Sequence, residues 1–274
     1  MSLMLDRAKV PAIKKVRRPP ADDAAPMPKL LQKAEQIDGA QNASLSDASD
    51  QRTLLRLMTW LSPSYPVGAF AYSSGIEWAI EAGDIRDAAT LAEWLRGFLS
   101  HGAGRNDAIL MAQAFRAVRG ADNTRLRDIA ELANALASSR ERHLETTAQG
   151  RAFLDVTRAA WGCATLENLV RQWSGPVAYP VAVGVACAGH DVALAPALLA
   201  FVHAQTANWI SAGVRLIPLG QTDSQHVLAQ LEENISTAAQ AAFDATLDDL
   251  GSATFRADIG AMRHETQYTR LFRS

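Results

Sequence analysis

Residues 172–190 and 192–214 contain no Asp, Glu, Lys or Arg, and only Asp191 stands between them. An uncharged stretch of this length has to leave water, either inside a protein or inside a bilayer. The bilayer fits poorly. Pro180 and Pro196 interrupt the two halves, His203, Gln205, Asn208 and Ser211 stud the second, and no basic bias flanks either. The pattern predicts two central helices enclosed by other helices, or with one face buried in an oligomer. The segment "PVAYPVAVGVACA", residues 176–188, has enough β-branched residues for a strand, but its alanines and helical neighbours favour a buried helix.

The rest of the chain from Thr53 onward has helical spacing. Leu91, Trp94, Leu95, Phe98 and Leu99 fall on one face behind Asp87, a side chain suited to accept a first-turn amide. Leu126, Ile129, Ala130, Ala133, Leu136 and Ala137 repeat the arrangement, as do Leu144, Ala148, Ala152 and Val156, then Leu228, Leu231, Ile235, Ala238 and Ala242. Capping boxes are expected at Ser74 with Glu77, Ser138 with Glu141 and Thr222 with Gln225. No alternating strand pattern competes. The expected fold is all-α, a single helical-bundle domain of roughly ten helices over residues 51–274.

Residues 1–50 differ. They hold 8 Lys/Arg and 7 Asp/Glu but few large aliphatics, and Pro11, Pro19, Pro20, Pro26 and Pro28 would break any helix, so a disordered N-terminal arm is expected. Its first 20 residues are basic, as in "RAKVPAIKKVRR", which suits an acidic partner, nucleic acid or simply a solvated tail. No apolar run follows that cluster, so export is not expected. Over the whole chain 27 basic and 29 acidic residues give a net charge of −2, which signals neither nucleic acid nor an anionic membrane. Cys163 and Cys187 form no CxxC and sit among small apolar residues, which points to a reducing cytoplasm and to packing rather than nucleophilic chemistry.

Catalytic motifs are missing. There is no GxxxxGK[ST] loop, no GxGxxG and no GxSxG elbow, so nucleotide hydrolysis and esterase chemistry lack a signature. "HETQY" sets His264 and Glu265 as a zinc-protease helix would, but Tyr268 stands where the second histidine ligand belongs. The surviving enzymatic alternative is a helical metal-dependent hydrolase using His264 and Glu265 with donors from elsewhere. His101, His143, His190, His203 and His226 form no HxH or HxxxH pair, which leaves open only a transient nickel contact assembled from distant residues. The charged run "SSRERHLE", residues 138–145, reads as a solvated helix start rather than a docking face.

Three segments use special residues densely. In "LSPSYPVGAFAYSSGIEWA", residues 61–79, Pro63 and Pro66 fix the backbone, Gly68 admits a conformation closed to others, and Phe70 and Tyr72 bring aromatic mass to a turn. It joins two helices and reads as a shaped surface as well. In "AGVRLIPLGQTDSQ", residues 212–225, a long uncharged helix gives way to Arg215, Pro218 and Gly220, either a plain connector or a recognition loop. In "MRHETQYTRLFRS", residues 262–274, Arg263, Arg270 and Arg273 interleave with Tyr268, Leu271 and Phe272, side-chain types that dominate buried interface anchors. Such an end must dock on its own domain or on a partner.

In this order, from about Thr53 to Ser274, the three segments resemble the urease accessory protein UreF family. Pro63, Pro66, Val67, Gly68, Phe70, Ser73, Gly75 and Glu77 match its first motif, "VRLIPLGQTDSQ" the second and "MRHETQYTRLFRS" the last. Ala69 and Ser224 depart from it, standing where relatives commonly have glycine. The resemblance implies an all-α, dimer-forming protein that is not an enzyme and binds no cofactor stably. It would join UreD (also called UreH) and the GTPase UreG in the cytoplasmic complex that delivers nickel to apo-urease (UreABC), nickel and GTP being handled by the partners. By the same resemblance the tail orders against UreD, which here assigns Arg263, Glu265, Tyr268, Arg270, Leu271, Phe272 and Arg273 to that contact. The loop lies near the GTPase, which assigns Arg215, Pro218, Gly220 and Gln221 to it, with Arg215 docking or, in a sharper form, acting as an arginine finger.

Overall fold

The computed structural model describes residues 48–274, so the arm expected over residues 1–50 lies outside the described residues except for its last three. Those three already belong to the first helix, α1 (Ala48–Trp60), which starts ahead of Thr53. A short 3-10 turn (Ala69–Ala71) and α2 (Ile76–Glu81) follow, then α3 (Ala88–His101), α4 (Ala103–Arg119), α5 (Asn123–Ala135), α6 (Arg140–Trp161) and α7 (Ala164–Gln172). The uncharged region forms α8 (Tyr179–Gly189) and α9 (Leu194–Leu216), and α10 (Gln221–Gln230), α11 (Glu232–Asp244), a second 3-10 turn (Leu247–Asp249) and α12 (Phe255–His264) complete the order. The described residues are all-α and contain no strand, as the periodicity requires.

The uncharged helices are the centre of the bundle. All residues of α8 from Pro180 to Ala188 are buried, and α8 packs chiefly on α4 and α6. Small residues set that packing: a Cβ at Gly184 would run into the Met111 carbonyl oxygen of α4, and one at Gly150 of α6 into the Val177 carbonyl oxygen. Backbones this close leave no room for a solvated charge, which is why the sequence carries none there. The second uncharged helix, α9, lies against α11, α4, α10 and α2. No helix among the described residues is long and apolar enough to cross a membrane.

Local signals place the helix starts to within two residues. Asp87 caps α3 as expected, accepting the Thr90 N–H at 2.8 Å while Thr90 Oγ1 accepts the Asp87 N–H at 3.0 Å. The cap of α6 is Ser139 rather than Ser138. At α10 the cap is Gly220, whose N–H donates to Asp223 at 2.9 Å, in place of Thr222 with Gln225. At α2 it is Gly75 rather than Ser74, because the Ser74 hydroxyl is committed elsewhere.

Candidate functional site

The first special segment leaves α1 under an aromatic cluster. Tyr65 packs against Phe153 and Trp161 and its hydroxyl bonds Thr157 Oγ1 at 2.8 Å, which fixes where the following corner starts. Gly68 turns the chain at φ 74°, and the 3-10 turn then pushes Phe70 outward, 72 % exposed. The corner closes with two left-handed residues in succession, Ser74 at φ 56° and Gly75 at φ 81°. Non-glycine residues resist that region, and Ser74 is held there by its hydrogen bonds. Its Oγ accepts from Arg142 Nη1 at 2.7 Å and from Trp209 Nε1 at 2.8 Å, and donates to Glu145 Oε1 at 2.9 Å.

This corner is the receptor for α12 and the tail. A Cβ on Gly75 would come within 2.9 Å of the Ala261 N and Cα atoms, so α12 meets α2 backbone to backbone. At the end of α12 the His264 ring is fully buried between two carboxylates, Nδ1 2.6 Å from Glu141 Oε2 and Nε2 3.0 Å from Glu77 Oε2. Both ring nitrogens are thus taken up by carboxylate oxygens, which fixes the ring from its two edges. Glu77 also accepts the Leu271 N–H at 2.6 Å and the Phe272 N–H at 2.9 Å, and Glu141 pairs with Arg270 at 2.6 Å. Beyond, the Arg273 N–H donates to the Ala71 carbonyl at 2.9 Å. Ser274 is pinned by three residues: its main-chain oxygen accepts the Ser73 N–H at 2.9 Å and the Ser73 hydroxyl, and its own hydroxyl accepts the Ser74 N–H at 3.3 Å and donates to Glu145 Oε2 at 2.6 Å.

The residues singled out in the sequence therefore divide. Phe272 is buried against its own domain, whereas Tyr268, Leu271 and Arg273 face outward and Arg263 is exposed on α12. Glu265 accepts the Arg140 N–H at 2.9 Å and so serves the N-terminus of α6. It does not join His264, whose ring is occupied on both nitrogens by the glutamates. No group of three His, Cys, Asp or Glu suited to a metal occurs among the described residues. In the loop after α9, Pro218, Gly220 and Gln221 are exposed, while the Arg215 guanidinium lies between Phe70 and Phe272, 4.1 and 4.3 Å from their ring centroids. The three special segments thus meet in one place, with Phe70 from the first, Arg215 from the second and Phe272 from the third.

Sequence reasoning missed the receptor side of this junction. Residues 138–145 were expected to be a solvated helix start, yet Glu141 and Glu145 are buried and hold the tail. The available signal was that they stand at i and i+4, one above the other on a single helix face. Arg142 lies between them, bonded to Glu145 at 2.7 Å and 3.8 Å from Asp107. Burial opposes its charge, but Glu145 and Asp107 hold Arg142 above its ordinary value. A cavity of about 280 Å³ opens beside this network, lined by Asp107, Arg142, Glu145, Gln205 and Trp209 on one side and Phe70 on another.

Burial lifts Asp107 from the ordinary 3.8 to about 6, against the opposing pull of Arg142 and of the Gln205 amide. Its carboxyl binds a proton more tightly folded than unfolded, so between pH 3.8 and about 6 the folded state holds the extra proton and stability falls as pH rises. Asp107→Asn cannot titrate. From pH 4 to 7 the wild type should lose up to about 3 kcal/mol relative to this variant. Urea midpoints of both proteins across that range test it, and parallel pH profiles would refute it.

A family model described as UreF matches residues 85–232. The chain is 61 % identical over 233 residues to the urease accessory protein UreF of Bradyrhizobium diazoefficiens, an alignment covering 85 % of this chain and 96 % of the relative. It is 60 % identical over 236 residues to the urease accessory protein UreF of Rhodopseudomonas palustris strain BisA53, covering 86 % and 97 % of the two chains. With the protein of the same name from strain BisB18 it shares 58 % identity over 241 residues, 88 % of this chain and 100 % of the relative.

Proposed function

The chain belongs to the urease accessory protein UreF family, and from that membership we propose that it serves urease maturation as a bridge between proteins rather than as a catalyst. In this reading its C-terminal face receives UreD (UreH), its loop after α9 receives the GTPase UreG, and two copies pair within the complex that brings nickel to apo-urease. The observation that carries it is the pinned tail. A C-terminal segment held by three buried glutamates presents Tyr268 fully exposed and Leu271 64 % exposed on a fixed backbone. Such residues cost little further ordering entropy when a partner covers them. Phe255, Ile259 and Met262, at i, i+4 and i+7 on the outer face of α12, are exposed apolar side chains on the preceding helix, 71, 46 and 50 % exposed. Arg263 and Arg273 are exposed in the same C-terminal stretch and suit a partner's carboxylates. The exposed Pro218, Gly220 and Gln221 form the separate face assigned to the GTPase.

A bridging chain regulates a GTPase by binding one nucleotide state more tightly, which requires no catalytic group of its own. The test is co-expression with UreD and UreG followed by size-exclusion chromatography. The double variant Tyr268→Ala, Leu271→Ala should weaken retention of UreD on the order of a hundredfold, as for two interface anchors, while leaving the isolated chain folded. Unchanged co-elution of UreD would refute the tail assignment.

A further inference from the structure

Arg215 is the one charged residue of α9, and its side chain reaches both of the other special segments through one group. Its guanidinium is layered between the Phe70 and Phe272 rings. Its edges are used as well: Nη1 donates to the Phe70 carbonyl at 2.8 Å and Nε to the Ser211 carbonyl at 3.1 Å. The remaining Nη2 is buried without a partner. Burial lowers its pKa from the ordinary arginine value. A planar cation with both faces covered by rings gains from each of them, and a lysine ammonium cannot offer two such faces. Phe272, 4 % exposed, lies on this group, and the Leu271 and Phe272 amides reach Glu77 from the same stretch of backbone.

We infer that Arg215 is a positioning residue that clamps the tail to the corner, so that it shapes the partner-binding surface from beneath rather than reaching into a partner's nucleotide site. The guanidinium cannot extend outward without giving up Phe272. Loss of Arg215 therefore releases the tail before any partner arrives. The consequence for partners rests on the bridging reading above. The consequence for the tail does not.

Hydrogen exchange on the full isolated chain tests the clamp directly. In Arg215→Ala the amides of Leu271, Phe272 and Arg273 should exchange on the order of tenfold faster or more, the loss of two ring contacts, while amides of α8 keep wild-type protection. Phe272→Ala should produce the same pattern, and Arg215→Lys an intermediate one. Wild-type exchange of the tail in Arg215→Ala would overturn the inference, as would a lysine variant indistinguishable from wild type. If α8 loses protection in the alanine variant, Arg215→Lys and Phe272→Ala carry the decision by the same criterion. With UreD and UreG present, equal loss of the GTPase in Arg215→Ala and Phe272→Ala supports action through the tail. Loss in Arg215→Ala alone overturns it. A freed tail with both partners fully retained leaves the clamp standing and refutes the bridging assignment instead.

Discussion

Glu77→Ala should lower the unfolding free energy by about 3 to 5 kcal/mol and strip exchange protection from residues 268–274, the cost expected when one member of a buried charged cluster is removed. The magnitude follows from what this one carboxylate serves. It accepts two backbone amides of the tail, from Leu271 and Phe272, and one nitrogen of the fully buried His264 ring. Alanine leaves all three donors without an acceptor and leaves His264 and Arg270 facing Glu141 alone. Glu77→Gln keeps the side-chain volume but only one oxygen, so it should lose about 1 to 2 kcal/mol, between wild type and alanine. Urea denaturation at pH 7 with parallel hydrogen exchange is the measurement. A Glu77→Ala protein with a wild-type midpoint and a protected tail would show that the carboxylate is not what holds the segment.

Gly75→Ala should cost about 2 to 5 kcal/mol, the sum of a left-handed backbone penalty and an overpacking penalty. Gly68→Ala separates the two contributions. Gly68 has φ 74°, close to the 81° of Gly75, yet a Cβ there meets nothing within 4 Å, so only the backbone penalty of about 1 to 2 kcal/mol applies. At Gly75 the methyl would instead strike the main chain of Ala261, which cannot rotate aside as a side chain would. Helix α12 would have to retreat, carrying His264 from between its glutamates. Thermal unfolding of both variants decides the matter, and equal losses at Gly68 and Gly75 would mean that α12 does not pack as closely as the contact requires.

Much of the scaffold was legible because it is written in local period and local charge. The helical spacing, the Asp87 cap and the central position of the uncharged helices each follow from residues within a few turns of one another. The three special segments were also visible, since proline, glycine and clustered arginine with aromatics stand out in any order. Their meeting was not. Ser74 and Ser138 were expected as caps because they stand in front of helices, but in the fold Ser74 bonds Arg142, Glu145 and Trp209, and Ser139 takes the cap of α6.

By itself the sequence determined that the chain forms helices, which of them must be central, and where the backbone is forced to turn, because periodicity, charge and backbone freedom are properties of neighbours. Only the tertiary structure decided that Glu141 and Glu145 are buried rather than solvated, that the His264 ring is held between Glu77 and Glu141, and that Arg215 lies between two rings. A carboxylate looks the same in a sequence whether water or a distant amide satisfies it. The partners of these carboxylates in α12 and the tail are 123 to 195 residues away, and only the folded chain brings them within hydrogen-bonding reach.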